Sequence, residues 1–400
     1  MPFAFRFLPF LMPTRDIIVV LGLLGQFPLA GIAWQLLHHL VGFQRLGFEV
    51  FYIEETGAVP YDPRTKNVAR DCRYSVHFIN DTLQRFGFGR QWAYRDGLTN
   101  QWYGLSENRV RELFTAAVGV FNLCGASHPE TLTFHPKGKF IYLETDPVLQ
   151  QVRLAQGDEG TLRFLGAHDA HVTYGENLGE PDCPVPLPAF AWKKTRPPVV
   201  LDFWPFQIDE NCRRFTTIAT WHNRGKDLSF RGQTYRWSKH VNFLMLIDLP
   251  RRAAQELELG VEIDNQAELD MFQRQGWVLT NPLLVSQDLD AYRNYIRTSR
   301  GEFTAAKDAV VRTRSGWFSD RSVCYLAAGK PVVVQETGFS KFIPTGRGLF
   351  AFSTADEARA ALEAVNRNYP AQARAAHEIA RAYFDAAQVF PKLLQDVGLG

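Results

Sequence analysis

The chain has 400 residues, of which 46% are hydrophobic, and it carries a formal net charge of +2 at pH 7. This length suits two domains of about 200 residues each, and a nearly neutral chain without a basic block argues against a nucleic-acid partner. The five cysteines are scattered and form no Cys-x-x-Cys pair, which predicts a reducing, cytoplasmic location and no structural zinc.

Residues 1–14 are apolar but are interrupted by three prolines, and they lack a small-residue cleavage site. We therefore expect a loose extension and not a signal peptide. A weak contact with a membrane surface is the alternative. The apolar run over 17–24 is too short to span a bilayer.

The first half alternates apolar runs with helical patterns, which is typical of a doubly wound α/β domain. We predict strands over 16–24, 49–53, 116–123 and 139–143, with helices over 32–45, 76–86 and 107–114. Gly22, Gly25 and Gly31 do not have the spacing of a dinucleotide-binding loop.

Carboxylates follow two of these strands, at the edge where ligands of parallel sheets bind. Asp146 follows the strand over 139–143 and is a candidate base, although an Asp before a Pro also caps helices. Glu54 and Glu55 follow the strand over 49–53. A role in the cleft and a solvated pair are both open for these two residues.

A strand-like run contains His171, and Glu176 and Asn177 follow it. His171 is either a hydrogen-bonded structural histidine or a base or phosphate contact. Asp169, His171 and Glu176 do not have the spacing of a metal-ligand set, so no metal site is predicted here.

Seven prolines between 181 and 214 indicate the connection between two domains. We predict a short strand over 199–204 inside it, and domains over 1–205 and 206–385. The second domain opens with a strand over 214–221, followed by a polar loop. Further strands over 257–263, 276–280 and 349–352 and helices over 264–275, 290–298, 354–365 and 371–387 complete this domain before a final segment over 386–400.

The stretch 308–339 reads as strand (309–311), loop, helix (321–328), strand (332–334) and loop. The helix N-terminus, near Arg312, Arg314 and Arg321, offers backbone N–H groups to an anion. The second loop, 335–338, offers side chains that hydrogen-bond hydroxyls, and a nucleotide-sugar would fill both loops. The alternatives are a solvated Arg312/Arg314 pair, and Trp317 and Phe318 as core anchors.

The run Ser-Gly-Trp-Phe-Ser-Asp-Arg-Ser at 315–322 resembles the donor-binding segment of GT-B glycosyltransferases. Further similar runs lie at 28–35, 145–147, 174–183, 215–217 and 301–307, so the resemblance spans 16–390. Many retaining members carry two glutamates in this segment, and here Gly316 and Cys324 stand at those places. The donor nucleotide and the stereochemical outcome therefore remain open.

The resemblance implies an α/β protein with two Rossmann-like domains facing across a cleft, and with residues 386–400 crossing back to the first domain. It implies a nucleotide-diphosphate-sugar donor, a small-molecule or glycan acceptor, and no bound metal or cofactor. A nucleotide-sugar epimerase of the same fold and a non-catalytic sugar- or nucleotide-binding protein are the alternatives.

The candidate site residues fall into four groups. The catalytic candidates are Asp146, His171 and Glu176. The donor-binding candidates are Lys307, Arg312, Ser315, Gly316, Trp317, Ser319, Asp320, Arg321, Ser322, Gln335, Glu336, Thr337 and Gly338. Three further donor contacts are Trp221, Arg224 and Lys239. The acceptor-binding candidates, in the loop after the first strand and after the second strand, are Gln26, Phe27 and Glu54.

Overall fold

The structure, a computed structural model, describes residues 15–223 and 225–400. The predicted extension over 1–14 and the candidate Arg224 lie outside these residues. Among the helices of the described ranges, none has the length and apolar character needed to cross a membrane.

Within the described residues, the first half has ten strands and five α-helices. The strands are β1 Ile17–Leu21, β2 Glu49–Glu54, β3 Tyr61–Asp62, β4 Asn67–Val68, β5 Trp92–Arg95, β6 Trp102–Gly104, β7 Gly119–Leu123, β8 Lys139–Glu144, β9 Ala170–Thr173 and β10 Trp192–Lys194. The helices are α1 Ala30–Arg45, α2 Arg73–Arg85, α3 Glu107–Ala116, α4 Leu149–Ala155 and α5 Glu159–Gly166.

The described part of the second half has eight strands and ten α-helices. The strands are β11 Arg214–Ile218, β12 Leu228–Phe230, β13 Gln233–Tyr235, β14 Glu256–Gly260, β15 Val278–Thr280, β16 Gly301–Thr304, β17 Val332–Gln335 and β18 Leu349–Phe352. The helices are α6 His240–Leu244, α7 Leu249–Arg252, α8 Gln266–Arg274, α9 Pro282–Ser286, α10 Leu289–Arg297, α11 Asp308–Arg312, α12 Asp320–Ala327, α13 Ala355–Arg367, α14 Tyr369–Tyr383 and α15 Ala386–Asp396.

Two open sheets organise these elements. The first has the order β10-β9-β8-β7-β1-β2-β5-β6 and is parallel except for β6. The second has the order β15-β14-β11-β16-β17-β18 and is parallel throughout. In both sheets the chain starts in the middle, builds one side and returns to build the other. The strand order therefore reverses between β1 and β7 in the first sheet and between β11 and β16 in the second, where such sheets bind ligands.

The chain crosses between the halves twice, and the two crossings lie side by side. Val199, in the connecting segment, pairs with Asp385 in a parallel bridge. Helix α15 then packs on α1, where Phe390 lies against Phe43 with ring centroids 4.3 Å apart. A side chain at Gly42 would overlap Phe390, because its Cβ would lie 2.1 Å from that ring. Helix α15, which follows the second half in sequence, is thus docked on the first.

Two predicted strands are wrong. Residues 309–311 belong to α11, and the strand of this unit is β16, which ends before it. The apolar run reflects the buried face of a short helix, on which Ala309 and Val310 are fully buried. Residues 199–204 form a single bridge and a 3-10 turn, because the backbone N–H of Val200 donates to His38 at 3.0 Å and not to a neighbouring strand.

Replacing Phe390 with Ala should lower the free energy of unfolding by about 3–5 kcal/mol, because a fully buried ring would leave a cavity between α15 and α1. Chemical denaturation measures this change. The control Leu284→Ala, at a side chain that is 71% exposed, should stay within about 0.5 kcal/mol of the wild type. Equal effects of the two substitutions would contradict the docking of α15.

Candidate functional site

Loops from the carboxyl ends of both sheets meet across a cleft, and an ion pair joins them. Asp146 follows β8, and Lys307 follows β16 at the point where the second strand order reverses. The Nζ of Lys307 lies 2.7 Å from Oδ1 of Asp146. Burial disfavours the charged carboxylate, but the positive charges of Lys307, Lys226 and Lys239 outweigh this effect and hold the pKa of Asp146 below its ordinary value.

A second lysine, Lys239, is buried beside this pair without an acidic partner. Its side chain is 7% exposed, and within the described ranges no carboxylate lies within 4 Å of its Nζ. The ammonium lies 5.8 Å from the centre of the Trp317 ring. Burial lowers the pKa of Lys239 well below its ordinary value, and the charges of Arg321 and Lys307 lower it further. Such a site favours an anionic ligand, because an unpaired buried cation is costly.

Arg321 is largely buried, and its guanidinium forms hydrogen bonds within the second half. Its Nε donates to Glu302 at 2.5 Å, one Nη donates to the carbonyl of Ile218 at 2.7 Å, and the other donates to Thr304 at 3.0 Å. These contacts fix the first turn of α12 against β11 and β16. Arg321 therefore contributes its charge to the cleft while most of its hydrogen-bonding capacity is used internally.

Two tryptophans form walls beside the lysines. Trp317 donates its indole N–H to the carbonyl of Thr145, across the cleft, at 2.9 Å. Trp237 lies under Lys307, with Nζ 4.7 Å from its ring centre. Both cations thus lie near aromatic rings, which attract them weakly; Lys307 is also held by Asp146, whereas Lys239 forms no ion pair within the described residues.

Asp320, the first residue of α12, faces the cleft opposite Asp146. Its Oδ2 accepts a hydrogen bond from the side chain of Gln35, on α1, at 3.0 Å. Burial raises the pKa of Asp320 to about 7; the hydrogen bond from Gln35 opposes this shift, and the charge of Asp146 adds to it. The two cleft carboxyl groups therefore have pKa values displaced in opposite directions.

The loops around the cleft approach each other at Gly316. This residue has φ +81°, and a Cβ there would lie 2.3 Å from the backbone nitrogen of Asn177. Asn177 is fully buried and donates its backbone N–H to Ser315 at 3.1 Å and its side-chain amide to the carbonyl of Arg314 at 2.7 Å. Gly338, with φ +97°, passes the same carbonyl closely. Asn177 is thus a bridge between the halves.

The second predicted loop, 335–338, is hydrogen-bonded to neighbouring segments that include the first loop. Gln335 accepts from the backbone N–H of Ala306 at 3.2 Å, Glu336 accepts from that of Gly338, and Thr337 donates to the carbonyl of Trp317 at 2.6 Å. Three serines line the adjoining turn. Ser315 and Ser322 have buried hydroxyls without a partner in the described chain, and Ser319 is the N-cap of α12 without a side-chain bond.

Arg312 and Arg314 point to other partners. Arg312 donates to the carbonyl of Thr234 at 2.7 Å and to Gln233 at 2.5 Å, on the β12–β13 hairpin. Arg314 donates to Asp182 at 2.8 Å. Both side chains are partly exposed, in line with the alternative of a solvated pair.

Three other candidates, His171, Glu176 and Trp221, have polar groups that bind partners away from the Asp146–Lys307 pair. His171 hydrogen-bonds the carbonyl of Leu165 at 2.8 Å among aromatic rings, and burial lowers its pKa. Glu176 pairs with Arg196 at 2.8 Å. Trp221 is a core residue that donates to Glu268 at 2.8 Å. None of these contacts brings the three residues to the Asp146–Lys307 pair.

Glu54 fixes the loop after β1 by hydrogen bonds to its backbone. Both oxygens of its carboxylate accept backbone hydrogen bonds at 2.6 Å, from Gly25 and Gln26, and burial raises its pKa to about 7. The expectation of a solvated pair is wrong, because Glu54 and Glu55 are buried. Phe27, at the tip of the loop, is 40% exposed.

Sequence reasoning missed Gln35, Trp237 and Glu302 as neighbours of the cleft. Gln35 lies inside the run 28–35, and its position on the face of α1 that points to the cleft was the available signal. Nothing in the sequence marked Trp237, because it acts through a partner that is distant in the chain. Glu302 lies inside the run 301–307, but its partner Arg321 is distant in the chain.

The walls of the cleft are in contact with each other, and two cavities lie elsewhere, on the first half. One, of about 730 Å³, is lined by residues including Glu49 and Arg90, and one, of about 330 Å³, by residues including Cys72 and His77. Across residues 15–223 and 225–400, no three His, Cys, Asp or Glu side chains are placed to share a metal ion.

No protein-family model and no curated protein matches the sequence, whereas solved structures match nearly the whole chain. Sucrose-phosphate synthase from Thermosynechococcus elongatus is 11% identical, with a TM-score of 0.54 over 96% of this chain and 99% of that one. Anabaena HepE in complex with UDP-glucose is 13% identical, with a TM-score of 0.55 over 96% and 100% of the chains.

A third similar structure is an α-glucosyltransferase in complex with UDP-glucose and DNA containing an abasic site. It is 10% identical, with a TM-score of 0.57 over 96% of this chain and 100% of that chain. Identities this low show the fold alone. The fold is GT-B, with two Rossmann-like domains facing across a cleft, and this prediction from the sequence is confirmed.

Gly316→Ala should separate the halves, because the new Cβ would collide with the backbone of Asn177. The left-handed backbone alone costs about 1–2 kcal/mol for a residue with a Cβ, and Gly346→Ala is the matched control, with φ +92° and no atom within 4 Å of the Cβ. Gly346→Ala should lose about this amount in chemical denaturation, and Gly316→Ala should lose more, because the collision with Asn177 adds to the backbone strain. Only Gly316→Ala should also increase the radius of gyration in X-ray scattering, and equal scattering from the two variants would contradict this role.

Proposed function

We propose that this protein is a glycosyltransferase that moves a sugar from a nucleotide-diphosphate-sugar to a hydroxyl or amine of a small molecule or glycan. The observation that carries the proposal is Lys239, a buried lysine that forms no ion pair within the described residues and lies beside Lys307 and Arg321 in the cleft. The fold supports it, because solved structures of the same fold are named as transferases or as complexes with UDP-glucose.

The charges of the cleft suit a diphosphate. Within the described residues, Lys307 pairs with Asp146 and Arg321 pairs with Glu302, whereas the buried Lys239 and the exposed Lys226 form no ion pair. A diphosphate diester carries roughly one negative charge per phosphate, which balances the two remaining cations. Its arrival would also raise the pKa of Lys239, because a nearby anion favours the charged ammonium.

The first turn of α12 adds backbone donors to this site. The N–H groups at its N-terminus have no carbonyl partner within the helix, and the helix dipole favours an anion there. Arg321 acts as a positioning residue, since its bonds to Glu302, Ile218 and Thr304 hold this turn in place. The charge on the departing diphosphate is then stabilised by groups that are already oriented.

We assign the base to Asp146. Its carboxylate is ionised at neutral pH and faces the cleft with its side chain 48% exposed. His171 and Glu176 are left out, because each is engaged elsewhere in the first half. In a retaining reaction the leaving phosphate would take the acceptor's proton, and Asp146→Asn would then lose much less than the roughly 10²–10⁴-fold expected for a general base.

The proposed reaction uses no metal, takes a small molecule or glycan as acceptor, and occurs in the cytoplasm. No bound metal or cofactor is proposed, since the lysines and α12 supply the charge that stabilises the leaving group. The acceptor would lie against Gln26 and Phe27, and the near-neutral charge of the chain favours a small molecule or glycan over nucleic acid. All five cysteines are free, which supports the cytoplasm.

A second candidate, a nucleotide-sugar epimerase, is favoured by one observation. Asp146 and Asp320 both border the cleft, with pKa values displaced in opposite directions, and such pairs divide acid and base roles. An epimerase would interconvert the donor without any acceptor. Incubation with UDP-sugars alone, followed by chromatography of the sugars, separates the two activities.

A panel of UDP, GDP, dTDP and their sugars should identify one nucleotide that stabilises the protein in a thermal-shift assay. At 100 times its dissociation constant the ligand should add about 2.7 kcal/mol. Lys239→Met should abolish this stabilisation, because the substitution keeps the buried stem and removes the cation. Lys392→Met, at an exposed lysine on α15, should retain it. Stabilisation by no nucleotide would refute the diphosphate site.

Binding of UDP-glucose should weaken as the pH rises through about 7, because Asp320 then loses its proton and places a negative charge beside the diphosphate. The proton is held below this pH, so affinity is highest there and should fall by up to about tenfold per pH unit above it. Asp320→Asn should flatten the profile between pH 6 and 8.5, measured by calorimetry. An unchanged slope in this variant would assign the pH dependence to another group.

A further inference from the structure

We infer that Lys307 exchanges partners during the reaction, binding Asp146 in the empty enzyme and the diphosphate once the donor is present. Asp146 therefore becomes available to the acceptor only after the donor has bound. This inference rests on the proposed function and adds to it the order in which the two substrates engage the site.

Lys307 is anchored where it can serve both partners. The backbone just before it is fixed, because Ala306 donates to Gln335 at 3.2 Å and accepts from Asn242 at 2.9 Å. Its side chain is 14% exposed and lies over Trp237. The ammonium contacts Asp146 on one side, and its charge also acts on Lys239, the buried cation of the diphosphate site.

Asp146 is occupied in this arrangement. Lys307 is the one side chain of the described residues that forms an ion pair with its carboxylate. The charges of Lys226 and Lys239 from the second half also act on it, and the charge of Asp146 in turn raises the pKa of four neighbouring groups, Asp320, Glu144, Cys124 and Tyr142. A carboxylate held by an ammonium is a weaker base, because the contact stabilises its charged form.

An incoming diphosphate competes for the same ammonium. When Lys307 turns to the phosphate, the carboxylate of Asp146 loses its counter-ion and gains a nearby negative charge, and both changes make it more basic. The donor thus prepares the base as it binds. Without a donor, an acceptor hydroxyl would meet a carboxylate that is already neutralised.

The transfer step then balances. The acceptor O–H bond breaks and its proton passes to Asp146, while the acceptor oxygen forms a bond to the anomeric carbon. The bond from that carbon to the diphosphate oxygen breaks, and its electron pair remains on the diphosphate. Lys307 and Lys239 stabilise this new negative charge, so Lys307 is a catalytic residue at the leaving group.

A double-mutant cycle on UDP affinity tests the exchange, with calorimetry of the wild type, Asp146→Asn, Lys307→Gln and the double variant. Lys307→Gln should weaken binding about tenfold or more, because a cation at the phosphate is lost. Asp146→Asn should tighten it about tenfold, because Lys307 no longer has to leave a partner. In the Lys307→Gln background the same Asp146→Asn change should matter by at most about twofold.

The cycle separates competition from simple repulsion. If Asp146 only repels the phosphates, Asp146→Asn tightens UDP binding equally in both backgrounds, and that result overturns the inference. Failure of Asp146→Asn to tighten binding in the wild-type background overturns it as well. Glu262→Gln is the control, because this residue forms another ion pair between the halves, with Lys66 at 2.5 Å, and UDP affinity should not change.

Two further measurements keep the outcome clear. Melting temperatures of the four proteins without ligand show whether each variant is folded, and an unfolded variant is replaced by Asp146→Ser or Lys307→Met. Inorganic pyrophosphate serves as a probe that is independent of the base. If UDP, GDP, dTDP and pyrophosphate all fail to bind the wild type, the proposed function falls and the inference with it, whereas binding with additive effects overturns the inference alone.

Discussion

The contact between the loops at Gly316 and Asn177 is the constraint on which the geometry of the cleft depends. The absence of a side chain at Gly316 lets two backbones from different halves approach to contact distance. The neighbouring hydrogen bond from Trp317 to Thr145 and the ion pair of Lys307 with Asp146 lie within this same junction. Bringing polar loops so close requires that their backbone groups pair, and Asn177 supplies most of the pairing.

The energetic character of the site follows from burying more positive than negative charge. Arg321 and Lys307 form ion pairs, whereas Lys239 lies near the ring of Trp317 and forms no ion pair with any residue that the structure describes. Burial and the neighbouring positive charges lower the pKa of Lys239, because a charged ammonium is unfavourable at this buried position. A bound anion would raise the pKa of Lys239 again, so ligand binding and protonation of this lysine are coupled.

Much of the fold could be predicted from the sequence, because apolar strands and capped helices leave local signals. The box of Thr354 and Glu357 at the start of α13 has both expected hydrogen bonds, and β17 and β18 lie where their valine and phenylalanine runs placed them. Residues 309–311 were wrongly predicted as a strand, since a short helix buried on one face has the same apolar run as a strand. Periodicity does not distinguish the two over so few residues.

The arrangement of the site was less accessible from sequence. Position after a strand drew attention to Asp146, since topology alone brings such residues to one edge of a sheet. Lys307 was expected to precede a strand over 309–311, whereas it follows β16. It could not show that Arg312 binds a hairpin or that His171 lies among rings, because those partners are set by packing between distant segments. The roles assigned to the site residues remain predictions that the proposed variants test.

The paired crossings at Val199 and Asp385 have a mechanical consequence. Two chain segments joined by backbone hydrogen bonds behave as one strap, so opening of the cleft would be a rotation about a single axis and not independent drift of two tethers. The strap is also redundant. A protease cut in the first crossing would leave the fragments attached, because α15 remains packed on α1, and the protein would keep its shape after its chain was broken.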